Sequence, residues 1–246
     1  MALKDEFVRN GRWLFLWRSY LPLFLLLLML MPLYRFEYIG GSHTLDALWD
    51  VFCIGVSALG VLVRVKTIGH TPSGTSGRNT RDQIAESLNT TGMYSIIRHP
   101  LYLGNFLMWL GLALFPHNLL LALVVTLSFY IYYERIMFAE EDFLRAKFGP
   151  AFEAWASVTP AFWPAFWQWR PPSLPFSLRN VLKREYSGLY ALVVLFTLME
   201  FIGEYQVEGD ISLDPGWIAF LAVGTVVYFT LRTLKKHTRL LHIEGR

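Results

Sequence analysis

Charged residues and cysteine are scarce in this sequence of 246 residues. Only 17% of the residues are charged, whereas 54% are hydrophobic, and the mean hydropathy is +0.37. Soluble domains usually have about a quarter of their residues charged, so the composition excludes an ordinary soluble enzyme. Cys53 is the single cysteine, which excludes an intrachain disulfide and a cysteine-rich metal site.

Long apolar runs predict an all-α, polytopic integral membrane protein with about six transmembrane helices, because each run approaches the length that crosses about 30 Å of hydrocarbon. A cleaved signal peptide is the alternative for the first run, but no small-residue cleavage site follows Tyr34. The third and fourth runs are short and are joined by Pro116, His117 and Asn118, a turn cluster that predicts a tight helical hairpin. The predicted spans are 20–34 (preceded by 13–17), 45–65, 101–115, 119–133, 187–203 and 215–231.

Basic residues orient these spans. All but one of the 22 lysines and arginines lie before span one, from the end of span two to span three, between spans four and five, or after span six. Arg35 is the exception, and it shares its side with Glu204, Glu208, Asp210 and Asp214. By the positive-inside rule, both termini and both long loops are cytoplasmic. Nucleic-acid binding is disfavoured, because the basic residues are spread along a membrane rim.

Four regions follow from this pattern. Residues 1–65 hold the first two spans, and 66–170 hold a cytoplasmic loop, the hairpin and a second polar segment. Residues 171–242 add two further spans. Residues 243–246 read Ile-Glu-Gly-Arg, a protease-cleavage sequence common in recombinant proteins, so they are given no functional weight.

Polar and aromatic residues concentrate where the third span begins. Pro100 suits the first turn of a helix, and His99 before it is biased to extended backbone. The N–H groups of that helix start, together with Arg98 and His99, form a candidate anion receptor. The structural alternative is that Arg98 reaches lipid phosphate and His99 caps the helix.

Acidic residues concentrate where the fourth span ends. Glu140, Glu141 and Asp142 are three consecutive acids at a surface that otherwise collects cations. An ordinary interfacial amphipathic helix is the simplest interpretation, but it leaves the three acids unexplained. Acids beside a basic, aromatic helix start suit a ligand with charges of both signs, and S-adenosylmethionine is such a ligand. Carboxylates bind its ammonium, and tyrosine faces attract its sulfonium.

Taken together, the two segments resemble the isoprenylcysteine carboxyl methyltransferases and the related membrane phospholipid methyltransferases. The family pattern is Arg-His-Pro, an apolar residue, Tyr, any residue and Gly, followed by Glu-Glu, Leu, Phe-Gly, two aromatics spaced by three, and prolines. The matching residues are Arg98, His99, Pro100, Leu101, Tyr102 and Gly104, then Glu140, Glu141, Leu144, Phe148, Gly149, Phe152, Trp155, Pro160 and Pro164. Phe152 and Trp155 stand where tyrosine is usual, and the two spans after 171 extend beyond the family core.

The resemblance implies a cytoplasmic S-adenosylmethionine pocket with a lipid-facing opening. Residues carried over to the cofactor site are Tyr94, Arg98, His99, Pro100, Leu101, Tyr102, Gly104, Glu140 and Glu141. Arg135, with Arg98, is predicted to steer an anionic acceptor. The expected activity is methylation of a hydrophobic or lipid-linked acceptor, with O-methylation of a carboxylate or phosphate ranked first.

Methyl transfer from a sulfonium needs alignment and desolvation rather than a metal. An ionised acceptor needs no general base, whereas an amine or thiol needs one, for which His99 or Glu140 is the candidate. An NADPH-dependent membrane sterol-type reductase is the first alternative, although Glu140 and Glu141 would repel a 2′-phosphate. A non-catalytic scaffold or transporter is the second. The oligomeric state and the acceptor are left open.

Overall fold

The computed structural model describes residues 3–18, 20, 23–72, 74–75, 84–211, 213–243 and 245. Glu244 and Arg246, which belong to the predicted cleavage sequence, lie outside the described residues. The described part of the chain is helical and contains no strand. Its α-helices are α1 (Leu3–Trp17), α2 (Leu23–Leu33), α3 (His43–Gly69), α4 (Pro100–Leu114), α5 (Leu119–Phe148), α6 (Pro150–Ala156), α7 (Leu178–Glu208) and α8 (Pro215–His237).

All six predicted apolar runs contain an α-helix. Four of the helices, α3, α5, α7 and α8, are long and apolar enough to cross a membrane, which confirms a helical membrane protein. The other two, α2 and α4, have 11 and 15 residues. At about 1.5 Å per residue they are shorter than the roughly 30 Å hydrocarbon layer. Six complete spans, and the cytoplasmic orientation, therefore stay predictions.

The first apolar run differs from its prediction, because it forms two helices instead of one. Helix α1 ends at Trp17, and α2 begins at Leu23. Helix α1 is amphipathic and buries Val8, Gly11 and Phe15 against the C-terminal half of α5.

Close packing joins α3 to α4. A Cβ added at Gly60 would lie 2.4 Å from the Gly104 carbonyl oxygen, and one added at Gly111 would lie 2.2 Å from Ser57 Oγ. The Ser57 hydroxyl donates to the Met108 carbonyl across this interface. The two helices therefore approach each other at glycine positions along their whole shared length, a mode of packing common between membrane helices.

Helices α7 and α8 pack on each other, and α7 also packs on α3. The bundle consequently has two polar ends. At one end, Arg64 of α3 lies beside the start of α4 and the first turns of α7. At the other end, Asp50 lies near the turn between α4 and α5. Arg64 lies fourteen positions after Asp50 in α3, which corresponds to about 21 Å along the helix.

Candidate functional site

The two motifs predicted to form one site are brought together at the end of the bundle that contains Arg64. The Nε–H of Arg98 donates to Glu141 Oε1 over 2.8 Å. An Nη1–H of Arg98 also donates to the carbonyls of Ala156, the last residue of α6, and Thr159, which follows α6. Both side chains of the ion pair are less than one fifth exposed. Arg98 therefore fastens the start of α4 to the acidic end of α5 and to the chain that follows α6.

His99 lies between the two adjacent acids. Its Nε2 is 3.0 Å from Glu141 Oε1, and its Nδ1 is 3.5 Å from Glu140 Oε2. Burial disfavours the charged ring, but the hydrogen bonds and charges of Glu140 and Glu141 outweigh burial and raise the pKa of His99 above its ordinary value of 6.5. The arrangement thus favours a protonated imidazolium held by two carboxylates.

Tyrosine rings form one wall beside these acids. The Tyr102 hydroxyl donates to Glu140 Oε1 over 2.6 Å, and the Tyr102 ring stacks on His99 with centroids 5.7 Å apart. The Tyr133 ring lies 4.7 Å from that of Tyr102. Glu140 is the more open of the two glutamates, with 27% of its side chain exposed against 18% for Glu141. Glu140 is therefore the carboxylate better placed to meet a ligand.

The segment after α6 folds back along the start of α4. The backbone N–H groups of Arg98 and His99 donate to the carbonyls of Pro160 and Ala161. The Trp155 indole N–H donates to the Tyr94 carbonyl over 2.9 Å. Burial raises the pKa of Tyr94, so its hydroxyl stays protonated.

The aromatic pair after α5 has two structural roles. Phe152 is fully buried and makes an edge contact with the Trp155 ring. Trp155 fixes the Tyr94 backbone through the hydrogen bond above. Neither role needs a hydroxyl group. This explains why Phe152 and Trp155 can replace the tyrosines that are usual at these positions in the methyltransferase families that the sequence resembles.

The helix start is less open to anions than its sequence indicates. Pro100 occupies the first turn as predicted, but the N–H groups of Tyr102 and Leu103 donate to the His99 carbonyl. The N–H groups of Arg98 and His99 are bound by the carbonyls that follow α6. The His99 side chain makes no capping hydrogen bond either. The predicted capping role of His99 is therefore wrong, because its side chain binds Glu140 and Glu141 instead, whereas anion binding at this helix start stays a prediction.

Two other residues of the predicted cofactor set have different surroundings. Leu101 is half-buried. Gly104 faces α3, where a Cβ would lie 2.5 Å from Arg64 Cγ and 2.9 Å from the Gly60 carbonyl oxygen. The geometry gives Gly104 a packing role between helices, and its contact with a cofactor stays a prediction.

Arg135 is not brought together with the two glutamates. It lies five residues before Glu140, so the two point about 140° apart around the helix. Its guanidinium lies 3.3 Å from the centre of the Phe7 ring and its Nη1–H donates to Glu134 over 3.1 Å. Arg135 therefore contacts α1, and its predicted steering of an acceptor is unsupported by this geometry.

Arg18 lies nearer the tyrosines than Arg135 does, although the sequence indicates only a basic residue at the membrane surface. Its guanidinium is 3.8 Å from the centre of the Phe15 ring, directly after α1. Its charge acts on Tyr102, Tyr132 and Tyr133. The end of α1 thus contributes a positive charge to the aromatic wall, because α1 packs on α5 instead of continuing into α2.

A polar network behind the tyrosines was not predicted. Arg64 forms a bidentate pair with Glu185 of α7, with N···O distances of 2.6 and 2.8 Å. Its Nη1–H donates to Asn105 Oδ1 over 2.6 Å, and the Asn105 amide donates to the Tyr133 hydroxyl over 3.3 Å. The sequence contained a signal for this network, because Arg64 and Asn105 are polar residues inside apolar runs. Such residues usually face the protein interior or a polar cavity. The predicted division at residue 171 placed α7 outside the segment that contains the two motifs. In the structure, α7 nevertheless supplies Glu185 to the network behind the tyrosines.

A separate open cleft of about 490 Å³ lies at the cytoplasmic end predicted for α7 and α8. None of the predicted site residues lines it. The lining residues are mostly basic: Lys183, Lys235, Thr238, Arg239, Leu241 and His242. Such a surface suits lipid phosphates at a membrane rim.

Residues 50–151 match the family described as phospholipid methyltransferase. This segment runs from α3 to the start of α6 and contains Arg98, His99, Glu140 and Glu141. The predicted family resemblance is therefore confirmed over this part of the chain.

Two curated relatives match shorter stretches. The nickel-cobalt-cadmium resistance protein NccN of Alcaligenes xylosoxydans xylosoxydans is 37% identical over 89 residues, which are 36% of this chain and 39% of that protein. The cobalt-zinc-cadmium resistance protein CzcN of Cupriavidus metallidurans is 41% identical over 78 residues, 32% of this chain and 36% of that protein. The chain thus matches less than two fifths of the length of each relative. No solved structure matches it.

Proposed function

We propose that this protein is an S-adenosylmethionine-dependent membrane methyltransferase that acts on a hydrophobic or lipid-linked acceptor. The observation that carries the proposal is the convergence of the two motifs on one cluster, in which Glu141 holds Arg98 and His99 while Glu140 holds Tyr102. The family match over residues 50–151 supports methyltransferase chemistry in a membrane.

The residues present fit the charges of S-adenosylmethionine. The partly exposed Glu140 carboxylate suits the ammonium group, because the more buried Glu141 already has two cationic partners. Tyr102 and Tyr133 offer aromatic faces that attract a sulfonium. When bound, the cofactor supplies an electrophilic methyl group whose transfer leaves a neutral thioether.

The chain's own residues favour an acceptor that is already ionised. His99 is held protonated by Glu140 and Glu141, so it is a poor general base at neutral pH. A carboxylate or phosphate oxygen needs no base, because its lone pair forms the new O–CH3 bond as the S–CH3 bond breaks. Arg18 would attract such an anion to the tyrosine wall. We therefore propose O-methylation, at the end of the bundle that the charge pattern predicts to be cytoplasmic.

The reductase alternative is disfavoured by the same cluster. A 2′-phosphate of NADPH would meet Glu140 at the open side of the site, and like charges repel. A scaffold without catalysis leaves the buried arrangement of Arg98, His99 and Glu141 without a use.

The names of the two relatives add a physiological setting to the proposal. Methylation of an anionic lipid group removes its negative charge and so weakens the attraction of the leaflet for divalent cations. We propose that the activity supports growth in the presence of nickel, cobalt or cadmium. Bacteria that produce the wild-type chain should then tolerate these ions better than bacteria that produce an inactive Glu140→Gln variant.

Titration calorimetry of the detergent-solubilised full chain tests the cofactor. S-adenosylmethionine should bind with about one site per chain, and NADPH should give no saturable heat. Incubation with a methyl-labelled cofactor and bacterial lipid extract should then transfer label to lipid, and mild base should release the label as methanol if the acceptor is a carboxylate. A methyl phosphodiester resists mild base, so mass spectrometry of the base-stable product distinguishes it from an N-methyl amine, which would contradict O-methylation. Binding of NADPH alone would establish the reductase instead.

A further inference from the structure

A second cluster of chemistry-bearing side chains lies at the other end of the bundle. Asp46 and Asp50 come from the first turns of α3, and His117 comes from the turn between α4 and α5. One donor atom from each of the three lies within 4.8 Å of the other two. The methyltransferase proposal makes no use of these groups.

Several atoms in this cluster are buried without a hydrogen-bond partner. Among the described residues, these atoms are Asp46 Oδ1, Asp50 Oδ1, His117 Nε2, Glu200 Oε2 and Glu204 Oε2. Each of the four acidic residues is at most 4% exposed. His117 Nε2 and Asp46 Oδ1 are 3.2 Å apart but lack hydrogen-bond geometry. Polar atoms without a hydrogen-bond partner are costly in a protein interior. These four carboxylate oxygens and one imidazole nitrogen therefore point to a ligand that they share.

The charges around these atoms specify the sign of the ligand. The charged groups that act on Asp50 are Asp46 and Glu204. Those that act on Glu200 are Asp50, Glu204, Asp46 and Asp214, so the groups that act on these two residues are all acidic. His117 and His43 act on Asp46, and His43 also acts on Glu204, but the acids outnumber these histidines. Buried carboxylates are normally paired with cations or coordinate a metal, and here a cation satisfies several of them together.

The imidazole is held in place before any ligand arrives. His117 has a φ of 56°, a left-handed backbone conformation that is uncommon for a residue with a side chain. Its ring packs against those of Phe36 and Trp49, with centroids 4.9 and 6.0 Å away. The Trp49 indole N–H donates to the Leu114 carbonyl at the end of α4. A strained turn with a fixed ring is typical of a residue that positions a ligand.

We propose that Asp46, Asp50 and His117 bind a divalent transition-metal ion at the end of the bundle opposite the methyltransferase site. Two carboxylates and one imidazole are the donor set of zinc, cobalt and nickel sites, whereas magnesium and calcium prefer oxygen ligands throughout. The two aspartate carboxylates balance the charge of a divalent ion, and Glu200 and Glu204 of α7 are further buried acids beside them.

A more exposed group continues the cluster toward the surface. His43, Glu204 and Asp214 also offer donor atoms within 4.8 Å of one another, and the side chains of His43 and Asp214 are about half exposed. Glu204 belongs to this outer group and also acts on Asp50. The outer group therefore forms an entry path by which an ion reaches the inner ligands from the side that the charge pattern predicts to be non-cytoplasmic.

Cobalt binding by the full chain tests this site. The protein is purified in detergent through a tag without histidine, treated with a chelator and dialysed against Co²⁺. We expect about one tightly held Co²⁺ per chain, visible absorption bands of a low-symmetry site, and a rise in the wild-type Tm that Mg²⁺ does not reproduce. Absence of a bound ion, or an equal effect of Mg²⁺, would overturn the proposal.

Variants then locate the ion. Asp50→Asn and His117→Gln should each weaken Co²⁺ binding by about tenfold or more, because loss of even an outer-shell partner of a metal ligand typically costs at least that much. Asp210→Asn and His237→Gln remove exposed groups of the same types and should leave binding unchanged. Binding of S-adenosylmethionine by all four variants reports that they are folded and separates this test from that of the methyltransferase site. Equal Co²⁺ affinity in all variants would assign the ion to a different place.

Discussion

The Arg98 guanidinium and the Glu141 carboxylate form an ion pair with an N···O distance of 2.8 Å between residues 43 positions apart. This pair joins the start of α4 to the end of α5 across the turn that links them at the far end of the hairpin. Arg98 also binds the carbonyls of Ala156, at the end of α6, and Thr159, which brings the chain after α5 back to the same point. The geometry of this site therefore depends on Glu141, whereas the more exposed Glu140 is the glutamate placed to contact a ligand.

Glu141→Gln should destabilise the protein. The substitution removes the counter-charge of the partly buried Arg98 and one of the two carboxylates that hold His99. Loss of one partner of such a pair costs about 2–4 kcal/mol in the free energy of unfolding. Thermal unfolding in detergent measures this loss. Glu153→Gln is the matched control, because Glu153 pairs with Arg145 at the surface and such pairs contribute less than about 1 kcal/mol. A similar Tm for both variants would contradict a structural role for Glu141.

Glu140→Gln should weaken cofactor binding with a smaller effect on stability. Glu140 is the more exposed glutamate, and a charge-assisted hydrogen bond to an ammonium accounts for about tenfold or more in Kd. Calorimetric titration with S-adenosylmethionine gives the Kd of each variant. Asp142→Asn is the control, because Asp142 pairs with Arg12 of α1. The assignment of Glu140 to the cofactor is wrong if the two variants bind equally well.

The sequence predicts the all-helical class and the meeting of the two polar motifs, because apolar run length and motif order are local properties. It does not predict what holds Arg98 and His99. Their backbone partners, Pro160 and Ala161, lie about sixty residues away and are set by the return of the chain after α6. The side of α5 that faces the site is likewise fixed only by the packing of α1, which places Arg135 against Phe7.

The Arg64 network and the His117 cluster escaped prediction for a related reason. The Arg64 network draws its members from four helices, and the His117 cluster draws its members from α3 and from the turn after α4. The positions of Asn105 and Glu185 relative to Arg64 depend on the glycine-mediated approach of α3 to α4 and on the packing of α7. A charged or amide side chain in an apolar run signals that a partner exists, but it does not identify the partner.

Gly104→Ala should destabilise the α3–α4 interface. The new methyl group would lie within 3 Å of Arg64 Cγ and of the Gly60 carbonyl, and overpacking of this kind costs about 1–3 kcal/mol. Gly188→Ala is the control, because nothing lies within 4 Å of a Cβ there and alanine is favoured over glycine inside a helix. The Tm should therefore fall for the first variant and stay equal or rise for the second. A fall of equal size in both would contradict close packing at Gly104.

The stability of the protein should decline with rising pH because of His99. Its pKa is raised in the folded state, so its contribution is fully present below about pH 6.5 and is lost as the pH rises through the raised value. The difference in Tm between the wild type and His99→Gln should accordingly be larger at about pH 6 than at about pH 9. The exposed His237→Gln variant should show no such trend. A difference that is constant with pH would mean that His99 is not charged in the folded protein.

Arg18 and Arg135 offer competing positions for steering an anionic acceptor. The charge of Arg18 acts on the tyrosine wall, whereas Arg135 is held between Phe7 and Glu134 on the face of α5 that contacts α1. Arg18→Gln should therefore raise the KM for an anionic lipid acceptor by about tenfold while the Kd of S-adenosylmethionine stays unchanged.

Arg135→Gln serves as the matched comparison for that measurement. It should lower the Tm through loss of the Phe7 contact, because a cation stacked on an aromatic ring contributes about 0.5–2 kcal/mol. Its KM for the acceptor should stay near that of the wild type. The reverse result, with KM raised in the Arg135 variant and unchanged in the Arg18 variant, would restore the steering role that the sequence predicts for Arg135 and would require α1 to move away from α5 when the acceptor binds.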